Sequence, residues 1–268
     1  MTQDKNNPWK GLKLPNMAGN KYLLPDPEQP KEEIVQEEGR IINGKYHITQ
    51  QQDTYGFGLV QLIKECVADA KTAQPTFTLD DGSKIYRPLT FKETIEARIN
   101  DYESTTDEEE RLKLFKSWNN TCTGIAYKAN GIIKKSTKFK IIPQSKELIL
   151  LPQDYNQSTL PIGYDKLQGT ELDSTKAEYN TLLTIDEVLN HPAWNAAVEN
   201  DKSLLKTYAE IVFKEKQGQT ELMRFRIDTN PTSYYLRALV LDDLDDDSIT
   251  DGYYNLSYDA RFVRVSQS

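Results

Sequence analysis

Histidine and cysteine are scarce in this 268-residue chain, which holds His47, His191, Cys66 and Cys122 and no others. Two cysteines close one bridge at most, so a disulfide scaffold is excluded. Nothing in their spacing demands even that bridge; buried thiols are expected, with a pairing of Cys66 and Cys122 as the alternative. Two histidines also leave little material for a nucleophile, a base and an orienting group. His47 adjoins a proline- and acid-rich segment, and His191 precedes Pro192 as a helix-end residue would. No Gly-x-Ser-x-Gly elbow and no phosphate-binding P-loop is present. Long apolar runs are missing too. No stretch approaches the roughly 20 apolar residues that cross a bilayer, so membrane insertion is not expected. The opening Met1-Thr2-Gln3-Asp4 shows no apolar h-region of a signal peptide. Positive charge is in deficit, with 33 Lys and Arg against 41 Asp and Glu and a net charge of -8. Such a chain repels phosphate backbones, which argues against nucleic acid as a partner.

Apolar residues, 37% of the chain, suffice for a core, and tyrosine is abundant at 15 residues. Tyrosine offers contact area at low entropic cost, which suits recognition surfaces. Residues 1–50 carry Pro8, Pro15, Pro25, Pro27, Pro30 and an acidic run from Glu32 to Glu38. They read as a flexible or docking arm, through which the chain could form an oligomer. Residues 51–268 read as one domain. Phe57, Val60, Leu62, Ile63 and Val67 have helical spacing, and so do Phe91, Ile95 and Ile99. Asp81-Gly82 marks a hairpin turn, and another helix is expected over 106–118. Gly124–Tyr127, Lys138–Ile142 and Glu147–Leu151 read as strands. Thr184 and Glu187 fit a capping box, Pro192 a first helical turn, and Gly218 the end of a helix over 202–216. Leu222–Ile227, Tyr235–Leu241 and Ala260–Val265 are the remaining strands, with Phe225, Leu239, Phe262 and Val263 or Val265 in the core.

The stretch from Asp242 to Asp259 has an unusual composition. Its acids are all Asp, and Lys, Glu, Gln, Trp and Met are absent from it. Turn propensity explains Asp, Asn, Ser and Gly. It does not explain Tyr253, Tyr254 and Tyr258. Leu241, Leu244, Ile249 and Leu256 punctuate the polar positions like fixed anchors. The residues present can all be reached from an Asn codon by changing its two adenines, and the absent ones cannot. That is the trace left by adenine-directed mutagenesis.

Tyr235-Leu236-Arg237-Ala238-Leu239, leading through this stretch to Ala260-Arg261-Phe262-Val263-Arg264-Val265, resembles the C-terminal variable region of a variable protein from a diversity-generating retroelement. The archaeal or archaeal-virus type is the most similar. The resemblance covers about 35 residues, with the variable region at about 235–265. It implies an α+β, C-type lectin-like fold with a mostly antiparallel sheet, helices in the middle of the chain and an exposed variable face near the C-terminus. It implies receptor recognition on a virion or cell surface, with a protein or cell-surface ligand as partner and no cofactor. The candidate ligand-binding residues are Asp242, Asp243, Asp245, Asp246, Asp247, Ser248, Asp251, Tyr253, Tyr254, Asn255, Ser257, Tyr258 and Asp259, expected on one continuous exposed face. Trp194-Asn195-Ala196 lacks the acid of a calcium-dependent sugar-binding motif, and Cys66 and Cys122 flank no formylglycine-generating site.

Rival readings are weaker. Asp243, Asp245 and Asp247 match the first ligand positions of a calcium loop, but Ser248 stands where Gly is needed and Tyr254 where the bidentate Glu belongs. No metal site is therefore expected. No catalytic residue is assigned, although paired carboxylates leave a glycosidase as an alternative. A viral tail or spike component is a second alternative. The basic Lys134-Lys135, Lys138 and Lys140 read as a solvated strand or hairpin tip.

Overall fold

The computed structural model describes residues 40–42, 46–48, 74–130, 136–149, 162–244, 249–252 and 262–265. The chain divides into Met1–Val35, outside the described residues, and Gln36–Ser268. The helix expected across Phe57–Val67, Cys66 and the Lys134-Lys135 pair also lie outside them.

Strand pairing begins earlier than expected, inside the proposed arm. β1 (Arg40–Ile42) and β2 (Tyr46–Ile48) run antiparallel. Tyr46 supplies the reason: it is buried with Leu89, Ala97, Leu114 and Val263. β3 (Thr76–Thr78) and β4 (Lys84–Tyr86) make the expected hairpin. α1 (Phe91–Ser104) opens on a capping box in which Glu93 N donates to Thr90 Oγ1 at 3.1 Å and Thr90 N to the Glu93 carboxylate at 2.7 Å. The helix expected over 106–118 shortens to α2 (Glu108–Arg111), and turns follow it to Lys116.

β5 (Asn119–Tyr127) is buried along its whole length and is followed by β6 (Lys138–Ile142). Where a strand is expected at Glu147–Leu151, the described residues form helix α3 (Lys146–Ile149), and Leu150 and Leu151 lie outside them. Ser145 Oγ accepts from Leu148 N at 3.4 Å, as an N-cap does, and Leu148 is buried against the sheet. A 3-10 turn at Tyr164–Lys166 leads into β7 (Thr170–Asp173). α4 (Ile185–Asn190) has the expected Thr184–Glu187 capping box, and Pro192 opens α5 (Pro192–Ala197). α6 (Lys202–Glu215) is followed by Gly218 at φ +87°, a conformation that glycine adopts without strain. β8 (Arg224–Arg226), β9 (Tyr235–Leu241), β10 (Ile249–Asp251) and β11 (Val263–Val265) complete the described chain.

A six-stranded sheet in the order β7-β6-β5-β9-β10-β8 organises these elements into an α+β fold. β10 and β8 run parallel, and its other neighbours run antiparallel. A second sheet, β1-β2-β11, holds the final strand beside β2, with Val263 opposite Ile48. The alternation of β9 separates two cores. Tyr235, Leu239 and Leu241 join Phe225, Trp194 and Tyr208 on the helical side. Leu236 and Ala238 meet Ile142, Leu148 and Leu167 on the other. Phe225, Leu239, Phe262 and Val263 are all buried, and Val265 is half-buried.

Candidate functional site

The Asp- and Tyr-rich stretch departs from the end of β9, where the chain is held from beneath. Leu241 is fully buried and Leu244 nearly so. Between them, Asp242 and Asp243 are half-buried, and Asp243 N donates to Asp242 Oδ1 at 3.1 Å. The hold comes from Arg98 on α1, a fully buried cation. Its guanidinium donates to the main-chain carbonyls of Asp242 (3.0 Å) and Leu241 (3.3 Å), and also to Ser117 O, Asn119 Oδ1 and Tyr208 Oη. Five donors in a fixed fork suit this convergence of acceptors. The guanidinium lies 5.7 Å from the Phe115 ring centroid, and Phe115 stacks on Tyr208. Leu244 N donates to Phe115 O at 2.8 Å, a second main-chain tether.

β10 is the next fixed point. It lies between β9 and β8, with Thr250 opposite Leu241 and Phe225, and Asp251 opposite Val240 and Arg226. Thr250 and Asp251 are buried. Asp251 Oδ2 pairs with Arg226 Nη1 at 3.0 Å. Asp251 therefore does not belong to an exposed face as expected. Its register beside β8 turns it toward a cation, and it serves the framework. Gly252 follows and is also buried. Its N–H donates to Arg226 O at 3.0 Å and its carbonyl accepts from Tyr127 Oη at 2.8 Å. A Cβ here would lie 2.7 Å from Ile125 Cδ1, 3.0 Å from Tyr127 Oη and 3.1 Å from Arg226 O, so any side chain forces its neighbours to shift. The far end is fixed by Phe262, fully buried, and by β11.

The remaining candidates Asp245, Asp246, Asp247, Ser248, Tyr253, Tyr254, Asn255, Ser257, Tyr258 and Asp259 lie outside the described residues. Residues 245–248 directly precede β10, and the rest follow Gly252. Three residues of strand rise span roughly 10 Å, so both groups are attached to the two ends of one short strand.

His191 is buried, and that burial holds its imidazole below the ordinary value. His47 lies on β2. Asn195, of the Trp194-Asn195-Ala196 sequence, spends its amide on the carbonyls of Leu189 (3.0 Å) and His191 (2.9 Å). Among the described residues, no group of three or more His, Cys, Asp or Glu side chains is placed to hold a metal ion. Asp245 and Asp247 of the rejected calcium pattern are outside that set.

Sequence reasoning missed Arg98, Tyr127, Arg226 and Gly252. Arg98 carried a legible signal. It falls on the buried stripe of Phe91, Ile95 and Tyr102 at helical spacing, where a cation needs partners.

No family model matches the sequence, and no curated protein matches it. A solved structure from Nanoarchaeota, in which the C-type lectin fold accommodates massive sequence variation, aligns with 84% of this chain and 100% of its own length. The TM-score is 0.56 at 16% sequence identity. This chain has a C-type lectin fold. The fold puts the Asp- and Tyr-rich stretch between β9 and β11, on a frame of buried main-chain contacts.

Proposed function

We propose that this C-type lectin fold protein binds ligands through a hypervariable surface on the stretch from Asp242 to Asp259. On this reading a retroelement diversifies that surface, and a protein or cell-surface molecule is the partner. The observation that carries the reading is the way the stretch is held. Arg98 reads the carbonyls of Leu241 and Asp242, Phe115 O receives Leu244 N, and Tyr127 with Arg226 O holds Gly252. Each contact is to main chain. Such contacts survive exchange of the side chains they hold, so positions between them can change while the attachments stay. The Nanoarchaeota structure, with the same fold accommodating massive sequence variation, supports the same reading.

Asp251 and Gly252 are framework on this reading and stay constant. Tyr253, Tyr254 and Tyr258 act as contact anchors, because aromatics commonly dominate interface energy. The aspartates favour a partner with a basic surface and speed the encounter at low salt. The protein is no enzyme and uses no cofactor.

Two experiments test the two halves of the proposal. The gene's neighbourhood is expected to hold a reverse transcriptase and a near-copy of the codons for about 235–265. A locus with neither defeats the diversification half. For binding, Tyr253, Tyr254 and Tyr258 are replaced together by Ala. The variant should keep its melting temperature and lose capture of a host-surface partner; undiminished capture defeats the binding half.

A further inference from the structure

The display reading makes no use of His191, yet its surroundings are unusual. The ring is 4% exposed and sits at the junction of α4 and α5. It stacks on Phe225 of β8, with centroids 5.8 Å apart and planes 20° apart. Tyr179 meets it edge-on at 4.8 Å. Trp194 packs against the same Phe225 at 5.6 Å. Nε2 is 2.8 Å from the Glu178 carbonyl and so must carry the proton that it donates. Nδ1 is buried with no hydrogen-bond partner among the described residues. A second proton would therefore be placed on a nitrogen with no acceptor, inside an aromatic box.

That box stands beneath the edge of the six-stranded sheet. Phe225 is opposite Thr250 in the β8–β10 pair, and β8 carries the Arg226 that holds Asp251 and Gly252. We propose that His191 is an acid-operated latch: protonation of Nδ1 drives the ring off Phe225 and loosens the β8–β10 edge on which the variable stretch is hung.

Among the described residues, no charged side chain shifts the imidazole to offset such a proton. The segments around the ring carry Glu171, Asp173, Glu178, Asp186, Glu187, Arg224 and Arg226 among the described residues, all exposed or half-buried. Burial and the Glu178 carbonyl are the two influences on the imidazole, and burial dominates. The buried Tyr179 hydroxyl is itself held neutral, pushed well above its ordinary range by burial and by Asp173. A base held below its ordinary value of ~6.5 takes its proton more readily when unfolded. Stability is therefore intact above about pH 6.5 and falls as pH drops from there toward the folded-state value.

Release of a bound ligand in acid rests on the display reading; the opening of the edge does not. The test reads the edge alone. The chain has two histidines, so His47→Gln assigns the His191 ring resonance in an NMR titration of the folded protein. Amide exchange, corrected for intrinsic rates, is then compared at pH 7 and pH 5. The reporters are Asn180 and Gly252, whose N–H groups donate to Phe225 O and Arg226 O at 3.0 Å each. The controls are Cys122 and Ser145, bonded to Leu89 O and Cys122 O. The ring should titrate below the ordinary value, and the reporters should lose about tenfold in protection while the controls hold. His191→Phe should abolish the change. A ring that titrates at or above the ordinary value, unchanged reporters, or an equal loss in the folded His191→Phe variant overturns the latch. The wild-type titration decides alone where His191→Phe does not fold. Loss of the ligand-binding result leaves this one standing, and the reverse holds too.

Discussion

Arg98 of α1 and Asp242 at the end of β9 are joined side chain to main chain: the guanidinium donates to the Asp242 carbonyl at 3.0 Å. The same group serves Leu241 O, Ser117 O and Tyr208 Oη. Replacing it strands several buried acceptors, and each unsatisfied group costs about 1–3 kcal/mol. Arg98→Met should therefore lose on the order of 3–5 kcal/mol in denaturant unfolding. Arg98→Lys, a point charge without the fork, should fall between. Asp242→Asn should shift stability by less than about 1 kcal/mol, because its carbonyl remains. Equal losses for Arg98→Met and Asp242→Asn would mean that the clamp reads the side chain.

Gly252 is squeezed between Ile125, Tyr127 and the Arg226 carbonyl, which a new Cβ would approach to 2.7, 3.0 and 3.1 Å. Overpacking of this kind costs roughly 1–3 kcal/mol. Gly252→Ala should lower the melting temperature accordingly. Tyr127→Phe, which removes the hydroxyl donor to Gly252 O, should relieve part of the clash. The double variant is expected to be more stable than the sum of the single losses.

Asp251 tests the division between frame and display. It is buried, while Arg226 reaches solvent, so its ion pair is partly screened. Asp251→Ala should cost about 1–2 kcal/mol, and Asp251→Asn less, since it keeps a hydrogen-bond acceptor. A neutral Asp251→Ala would return the residue to the exposed face.

Much of the fold was legible, for local reasons. The Thr184–Glu187 capping box, the helical spacing of Phe91, Ile95 and Ile99, the Asp81-Gly82 turn and the apolar run of Tyr235–Leu241 each depend on neighbours in sequence. What failed depended on distant residues. Glu147–Leu151 ends in an apolar Leu-Ile-Leu-Leu run that reads as a strand, yet Ser145 caps a helix over Lys146–Ile149 and Leu148 fills the second core. β1 and β2 looked like part of an arm because their stability comes from Val263 and Leu114 far along the chain. In the site, the apolar anchors Leu241 and Leu244 were readable from their spacing, and both are buried. Asp251 was not, because its role is set by a register with β8 that no local pattern encodes.

Cys122 offers a chemical check on burial. Burial pushes its thiol up to about 12, and Arg87, with Nη1 3.8 Å from Sγ, pulls the other way without prevailing. A thiol raised in the fold contributes stability that is full below its ordinary value of ~8.5 and declines as pH rises toward 12. At pH 8 it is a buried, protonated, poor nucleophile. In a Cys66→Ser variant, a thiol reagent should find no reactive group until denaturant is added. Rapid labelling of the folded variant would contradict the burial.

The last prediction separates frame from display by stability alone. Asp245→Ala, Asp247→Ala, Tyr253→Ala and Asn255→Ala should each change unfolding free energy by no more than about ±0.5 kcal/mol, the usual range for exposed positions. Phe262 is fully buried where the stretch rejoins the fold, so Phe262→Ala should cost roughly 3–5 kcal/mol. The contrast matters because a surface that is free to vary must contribute little to the fold that carries it. Losses at Asp245, Asp247, Tyr253 or Asn255 as large as that of Phe262→Ala would show that the stretch is itself part of the core. In that case the Asp and Tyr bias would need a structural explanation, and the display reading would fall even with the C-type lectin fold intact.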